Sequence, residues 1–154
     1  MRRISQRLFI AKPVTKVKYY KNKIVMVFGV FDRLHPGHLS FLKQAKKYGE
    51  KLIVVVARDS AVFKLKKRRP AQSEKKRLQN LRKISLATKA VFGDQRQGSY
   101  GIIKKYKPEI ICLGYDQERL LRDMRDKIKL GKIPPIKLIK LKSYHPYKFH
   151  SSLL

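Results

Sequence analysis

A chain of 154 residues holds one domain with a real hydrophobic core and is too short for two ordinary ones. It is 43% hydrophobic and reads as globular, and its single cysteine, Cys112, excludes an internal disulfide and a cysteine-rich metal site. The 39 Lys and Arg against 10 Asp and Glu, formally +29, attract anions: nucleotides, phosphorylated metabolites, nucleic acid or acidic lipid. The plainer reading of the same charge is a solvated, lysine-rich face.

No apolar run approaches the roughly 20 residues that span a bilayer. Residues 1–23 contain no acidic residue, and their apolar block "LFIA" is too short for a secretory signal core. They are expected to form a basic arm lying on the domain or on a polyanion, with an organelle-targeting peptide as the weaker alternative. The domain proper is expected over residues 24–154. Cys112, inside "IICLG", fits a core position in a reducing compartment, and a cytoplasmic location is expected.

Residues 24–30, "IVMVFGV", have the length and continuous apolar character of a strand. Leu39, Leu42, Ala45 and Tyr48 then recur at helical spacing over 37–48, and Gly49 is a suitable stop. "KLIVVVA", 51–57, reads as a strand covered on both faces. Residues 58–72, "RDSAVFKLKKRRPAQ", read as a basic loop ending in a turn. Ser73 can cap a helix to about Ser85 with Leu78, Leu81 and Ile84 or Ser85 inward. "TKAVF", 88–92, is a short strand and Gly93-Asp94 a turn. "YGIIKKY" is helical until Pro108, and "IICLG", 110–114, is another buried strand. A charged helix is expected over 117–130. Lysines along "IKLIKL", 136–141, suit an edge strand. The alternation predicts an α/β fold: a doubly wound, parallel, five-stranded sheet with helices on both faces.

The first strand's carboxyl end meets the first helix's amino end in "GVFDRLHPGH", 29–38. Ligands bind beyond the carboxyl ends of such sheets, and a helix N-terminus offers unpaired N–H groups to phosphate. Pro36 suits the first helical position, and Gly37 leaves room for close approach. His35 and His38, three apart, can face one point and stabilise charge growing on phosphorus. Structural histidines and a metal pair are the other readings of the same spacing. Metal is disfavoured because no third His or Cys lies nearby, although Asp32 does.

Those residues resemble the G-x-F-D-x-x-H-x-G-H signature of the cytidylyltransferase-like nucleotidyltransferase superfamily, matched at Gly29, Phe31, Asp32, His35, Gly37 and His38. "VVVARDSAVFKLKKRRP", "EKKRL", "AVFGD", "KPEIICLGYDQ" and "FHSSLL" continue the likeness in order over roughly residues 24–154. The resemblance implies a Rossmann-like fold. It also implies transfer of a nucleotidyl group from ATP or CTP to a small phosphorylated acceptor, with release of pyrophosphate and usually with Mg²⁺. His35 and His38 match the pair that holds the triphosphate, with Gly29, Val30, Phe31, Asp32 and Gly37 in the same nucleotide-binding loop. Lys64 and Lys66 match catalytic basic-loop residues that approach substrate phosphates, and Arg77 matches a phosphate-directed arginine. Gly114, Tyr115 and Asp116 match the loop near base and ribose.

"VVVARD", "KLKKRRP" and above all "LGYDQ" look most like archaeal-type FAD synthase, which adenylylates FMN. Glycerol-3-phosphate cytidylyltransferase is the next resemblance. Phe63 and Tyr115 are the expected apolar border of an FMN ring. The family's last motif is a Ser/Thr pair followed by Lys or Arg. Ser151 and Ser152 match the pair, but Leu153 and Leu154 follow, so weak closure over the triphosphate is expected, with Lys148 a candidate replacement. No role is assigned to His145 or His150. A rival from another class, a catalytically impaired nucleic-acid-binding protein, draws on the +29 charge and the acid-free arm. It predicts steep salt dependence for RNA or DNA and indifference to His35. A homodimer and non-specific polyanion binding stay open.

Overall fold

The apolar runs become strands because both faces of each run are covered. A computed structural model describes residues 10–11, 22–96 and 98–143. In chain order the elements are β1 (Ile10–Ala11), β2 (Ile24–Gly29), α1 (Pro36–Lys46), β3 (Lys51–Val56), α2 (Asp59–Lys66), α3 (Glu74–Arg82), β4 (Lys89–Phe92), α4 (Gly101–Tyr106), β5 (Ile110–Leu113), α5 (Glu118–Lys129) and β6 (Lys137–Lys140). All strand pairs are parallel, in the order β1-β6-β5-β2-β3-β4.

Successive strand residues serve opposite faces. Val25, Val27, Leu52, Val54, Val56, Cys112 and Ile139 pack with Leu42 and Ala45 of α1 and Leu78 and Leu81 of α3. Met26, Ile53, Val55, Ile111, Leu113 and Leu138 pack on the other face with Ile102 and Ile103 of α4 and Leu121 and Met124 of α5. The expected doubly wound parallel α/β fold is therefore present. Cys112 is a buried core residue, and burial pushes its thiol pKa up. Among the described residues no helix is long and apolar enough to cross a membrane.

Three local expectations change. The sheet has a sixth strand: Ile10 and Ala11, from the segment read as an arm, pair with Leu138 and Ile139. β6 is consequently not an edge strand. Its lysines are three apart, not alternating, so Leu138 and Ile139 bury on opposite faces. The basic stretch after β3 contains helix α2, whose only buried residue is Val62 and whose end is marked by Lys67 at φ 60°. α2 and α3 are joined at their starts: Glu74 Oε1 accepts from the Asp59 N–H at 2.7 Å, and Asp59 Oδ2 accepts from the Glu74 N–H at 3.2 Å.

The chain runs β2, β3, β4 in one direction and then returns to place β5 on the other side of β2. This reversal is the switch point at which open α/β sheets form their ligand crevice.

Candidate active site

The loop from β2 into α1 is shaped by two close approaches. The Phe31 ring folds back over Gly29, where a Cβ would lie 2.7 Å from it. Phe31 holds φ 54° and is buried in the core, and its ring meets that of His38 edge-on at 5.6 Å. The His35 ring lies over Gly37, where a Cβ would sit 2.9 Å from Cε1. These contacts explain glycine at both positions.

The two histidines form a reciprocal cap on α1. His35 Nδ1 accepts from the Gly37 N–H at 3.0 Å, and His38 Nδ1 accepts from the His35 N–H at 3.3 Å. Their rings stack with centroids 3.8 Å apart and planes 24° from parallel. With each Nδ1 used as an acceptor, the neutral tautomer carries its proton on Nε2. Each ring thus keeps one N–H donor for a ligand at a helix N-terminus, where negative charge is favoured. Burial, and then the neighbouring His35, lower the His38 pKa from 6.5 to about 4, partly opposed by Asp32. His38 is therefore a neutral donor at physiological pH.

Asp32 does not present a free carboxylate. Its Oδ2 accepts from the Ala71 N–H at 2.7 Å and its Oδ1 from the Gln72 N–H at 2.9 Å. Gln72 Oε1 in turn accepts from the Arg33 N–H at 3.0 Å. Asp32 thus ties the histidine loop to the segment between α2 and α3.

Arg77 is displaced from the phosphate-directed position expected of it. It is fully buried. Nη1 donates to the carbonyls of Val30 at 2.9 Å and Ala57 at 2.8 Å, Nε donates to that of Gln72 at 3.1 Å, and Nη2 pairs with Asp59. The guanidinium laces together the chain just beyond β2 and β3. Arg58 extends the lacing: Nε donates to the Gly93 carbonyl at 3.2 Å, Nη1 reaches Glu74, and the guanidinium lies 4.5 Å above the Phe92 ring.

Lys64 and Lys66 are exposed but lie in the last turn of α2, not in a loop. Residues two apart on a helix point about 200° away from each other, so these two do not share a face. Phe63 and Leu65 are also exposed, at 50% and 53%. Across the crevice, residues 114–117 form a tight turn closed by the Gln117 N–H on the Gly114 carbonyl at 3.1 Å. Tyr115 and Asp116 project from it, exposed. Gln117 folds beneath: its Oε1 accepts from the Gly114 N–H and its Nε2 donates to the Phe28 carbonyl, both at 2.8 Å.

Ser151, Ser152 and Lys148 lie outside the described residues. Asp59, Gln72, Glu74 and Gln117 were not anticipated. Asp59, Glu74 and Gln117 carried a sequence signal, as members of "VVVARD", "EKKRL" and "LGYDQ", whereas Gln72 carried none.

A cytidylyltransferase-like family profile matches residues 26–153. An FAD synthase of Pyrococcus abyssi is 44% identical over 105 residues, 68% of this chain and 71% of the relative. An FAD synthase of Aciduliprofundum boonei is 39% identical over 120 residues, 78% of each chain. The lipopolysaccharide core biosynthesis protein of Thermoplasma volcanium superposes with a TM-score of 0.72 at 35% identity, covering 79% of this chain and 98% of that one. With a stacked histidine pair capping a helix at the sheet's switch point and likeness across most of its length, this chain belongs to the cytidylyltransferase-like family and is a nucleotidyltransferase.

Proposed function

We propose that the protein is an FMN adenylyltransferase, making FAD and pyrophosphate from FMN and ATP. The observation that carries this reading is the stacked His35–His38 pair, which keeps two Nε2–H donors at the N-terminus of α1. The FAD synthase relatives supply the choice of FMN and ATP. An oxygen of the FMN phosphate attacks the α-phosphorus in line, a P–O bond forms, and the bond to the β-phosphate bridging oxygen breaks. The two imidazoles donate to phosphoryl oxygens as negative charge shifts toward the leaving pyrophosphate, with no proton transferred to or from His38.

Family members use a divalent ion with the nucleoside triphosphate. Among the described residues no group of three metal-ligating side chains converges, and both Asp32 oxygens accept backbone N–H bonds. The described residues therefore offer no protein-built cage there, and a divalent ion would come with the triphosphate, whose charge it would neutralise. The exposed cations of α2 and the exposed rings of Phe63 and Tyr115 fit the acceptor's phosphate and flavin. Lys64 or Lys66, together with Gly114, Tyr115 and Asp116, are the further substrate-facing residues proposed.

The test is FAD formation and pyrophosphate release from FMN with ATP and with CTP. FAD is expected with ATP, and His35→Ala is expected to reduce turnover by about 10²–10³, the usual cost of one donor to a developing oxyanion. Turnover of glycerol 3-phosphate with CTP and none of FMN would refute the proposal.

A further inference from the structure

The ladder between β2 and β5 stops early. Val25 pairs with Ile110 and Met26 with Ile111, whereas β2 stays paired with β3 through Gly29 and β5 stays paired with β6 through Leu113. Each central strand keeps its outer neighbour while parting from the other. Continuing the register places Phe28 opposite Leu113.

At the carboxyl ends of the other ladders, the residue after the partner donates to the facing carbonyl. Ala57 N–H donates to Gly29 O at 2.9 Å, Gly93 N–H to Val56 O at 2.9 Å, and Leu141 N–H to Leu113 O at 2.8 Å. By the same rule the β2–β5 bond at the Phe28–Leu113 position would run from the Gly114 N–H to the Phe28 carbonyl. These are the two groups that the Gln117 carboxamide occupies, its oxygen on one and its nitrogen on the other, both at 2.8 Å. The amide is inserted into the ladder in place of a backbone bond. It keeps both backbone groups satisfied while holding the strands apart. Gln117 also stands at the N-cap of α5 and makes no side-chain cap there. The helix forgoes its own cap so that this side chain can face the strands, and local rules broken in this way concentrate at functional sites.

We infer that Gln117 is a spacer that sets the width of the nucleotide crevice, fixing the Gly114–Asp116 turn relative to the histidine loop. It is a positioning residue, and the inference rests on the reading of this crevice as the nucleotide site.

Two variants of the full chain test it, with ATP and CTP binding read by calorimetry. In Gln117→Ala, the Gly114 N–H can bond the Phe28 carbonyl directly, so the crevice narrows while both groups stay paired. Nucleotide binding is expected to weaken about tenfold or more while the unfolding midpoint stays near wild type. In Gln117→Glu, an isostere, one carboxylate oxygen faces the Phe28 carbonyl, acceptor against acceptor. Binding should weaken at pH 8 and recover toward pH 5 as the acid protonates and regains its donor. Wild-type binding in both variants would overturn the inference, as would a midpoint that falls in step with affinity in Gln117→Ala, or no recovery with pH in Gln117→Glu. Failure of the wild-type protein to bind either nucleotide would instead overturn the reading of the site.

Discussion

Replacing Arg77 by methionine separates a structural clamp from a phosphate ligand. The substitution keeps an unbranched stem and removes every N–H. Three carbonyls, of Val30, Ala57 and Gln72, and one Asp59 oxygen lose their donor. Removing one partner of a buried pair typically costs about 3–5 kcal/mol. The Asp59 side chain is 38% exposed and can rehydrate, which favours the lower end. A loss of about 3 kcal/mol lowers the melting midpoint of a chain this size by about 6–12 °C. Arg77→Lys should fall nearly as far, because one ammonium cannot meet three carbonyls and a carboxylate in the guanidinium's fork geometry. The assay is thermal and urea unfolding without nucleotide. An Arg77→Met protein that melts with the wild type and shows only a raised KM for nucleotide would refute the clamp.

Two further outcomes are expected. In the folded protein His38 should titrate at about 4, followed by NMR of its ring protons, because burial and His35 oppose its charge. Between 6.5 and 4 the unfolded chain binds more protons than the folded one, so the stability His38 contributes is full above 6.5 and lost as pH falls toward 4; a midpoint near 6.5 would contradict the capped geometry. Lys64→Ala and Lys66→Ala should split, one weakening substrate binding about tenfold and the other matching the exposed control Lys142→Ala, because the two lysines do not share a face of α2; equal effects would place both at the site or neither.

The central strands were legible because burial on both faces leaves unbroken apolar runs, as in "KLIVVV". The start of α1 beside the two histidines was legible because Pro36 and Gly37 suit only a few backbone positions, whereas their reciprocal cap was not. α2 was not legible: one buried residue, Val62, leaves no period to read, and its start is held by Glu74, 15 residues away. The short β1 lies in a basic stretch whose pairing depends on β6. Arg77 was misplaced because its sequence context fits a phosphate and a set of carbonyls alike. The partners of Asp32, Arg77 and Gln117 are mostly backbone groups, which carry no residue identity for a sequence to display.

The strands' amino ends and middles are joined mainly by backbone ladders, whereas much of the carboxyl rim is joined by Asp32, Arg58, Arg77 and Gln117. Such side chains can reach their backbone partners only where segments distant in sequence have come together. Gln117 and Phe28, for example, stand 89 residues apart. Loosening any one of these contacts can therefore distort the rim while the ladders beneath it persist. A variant that loses one such contact is expected to retain nearly all its secondary structure after its chemistry is gone.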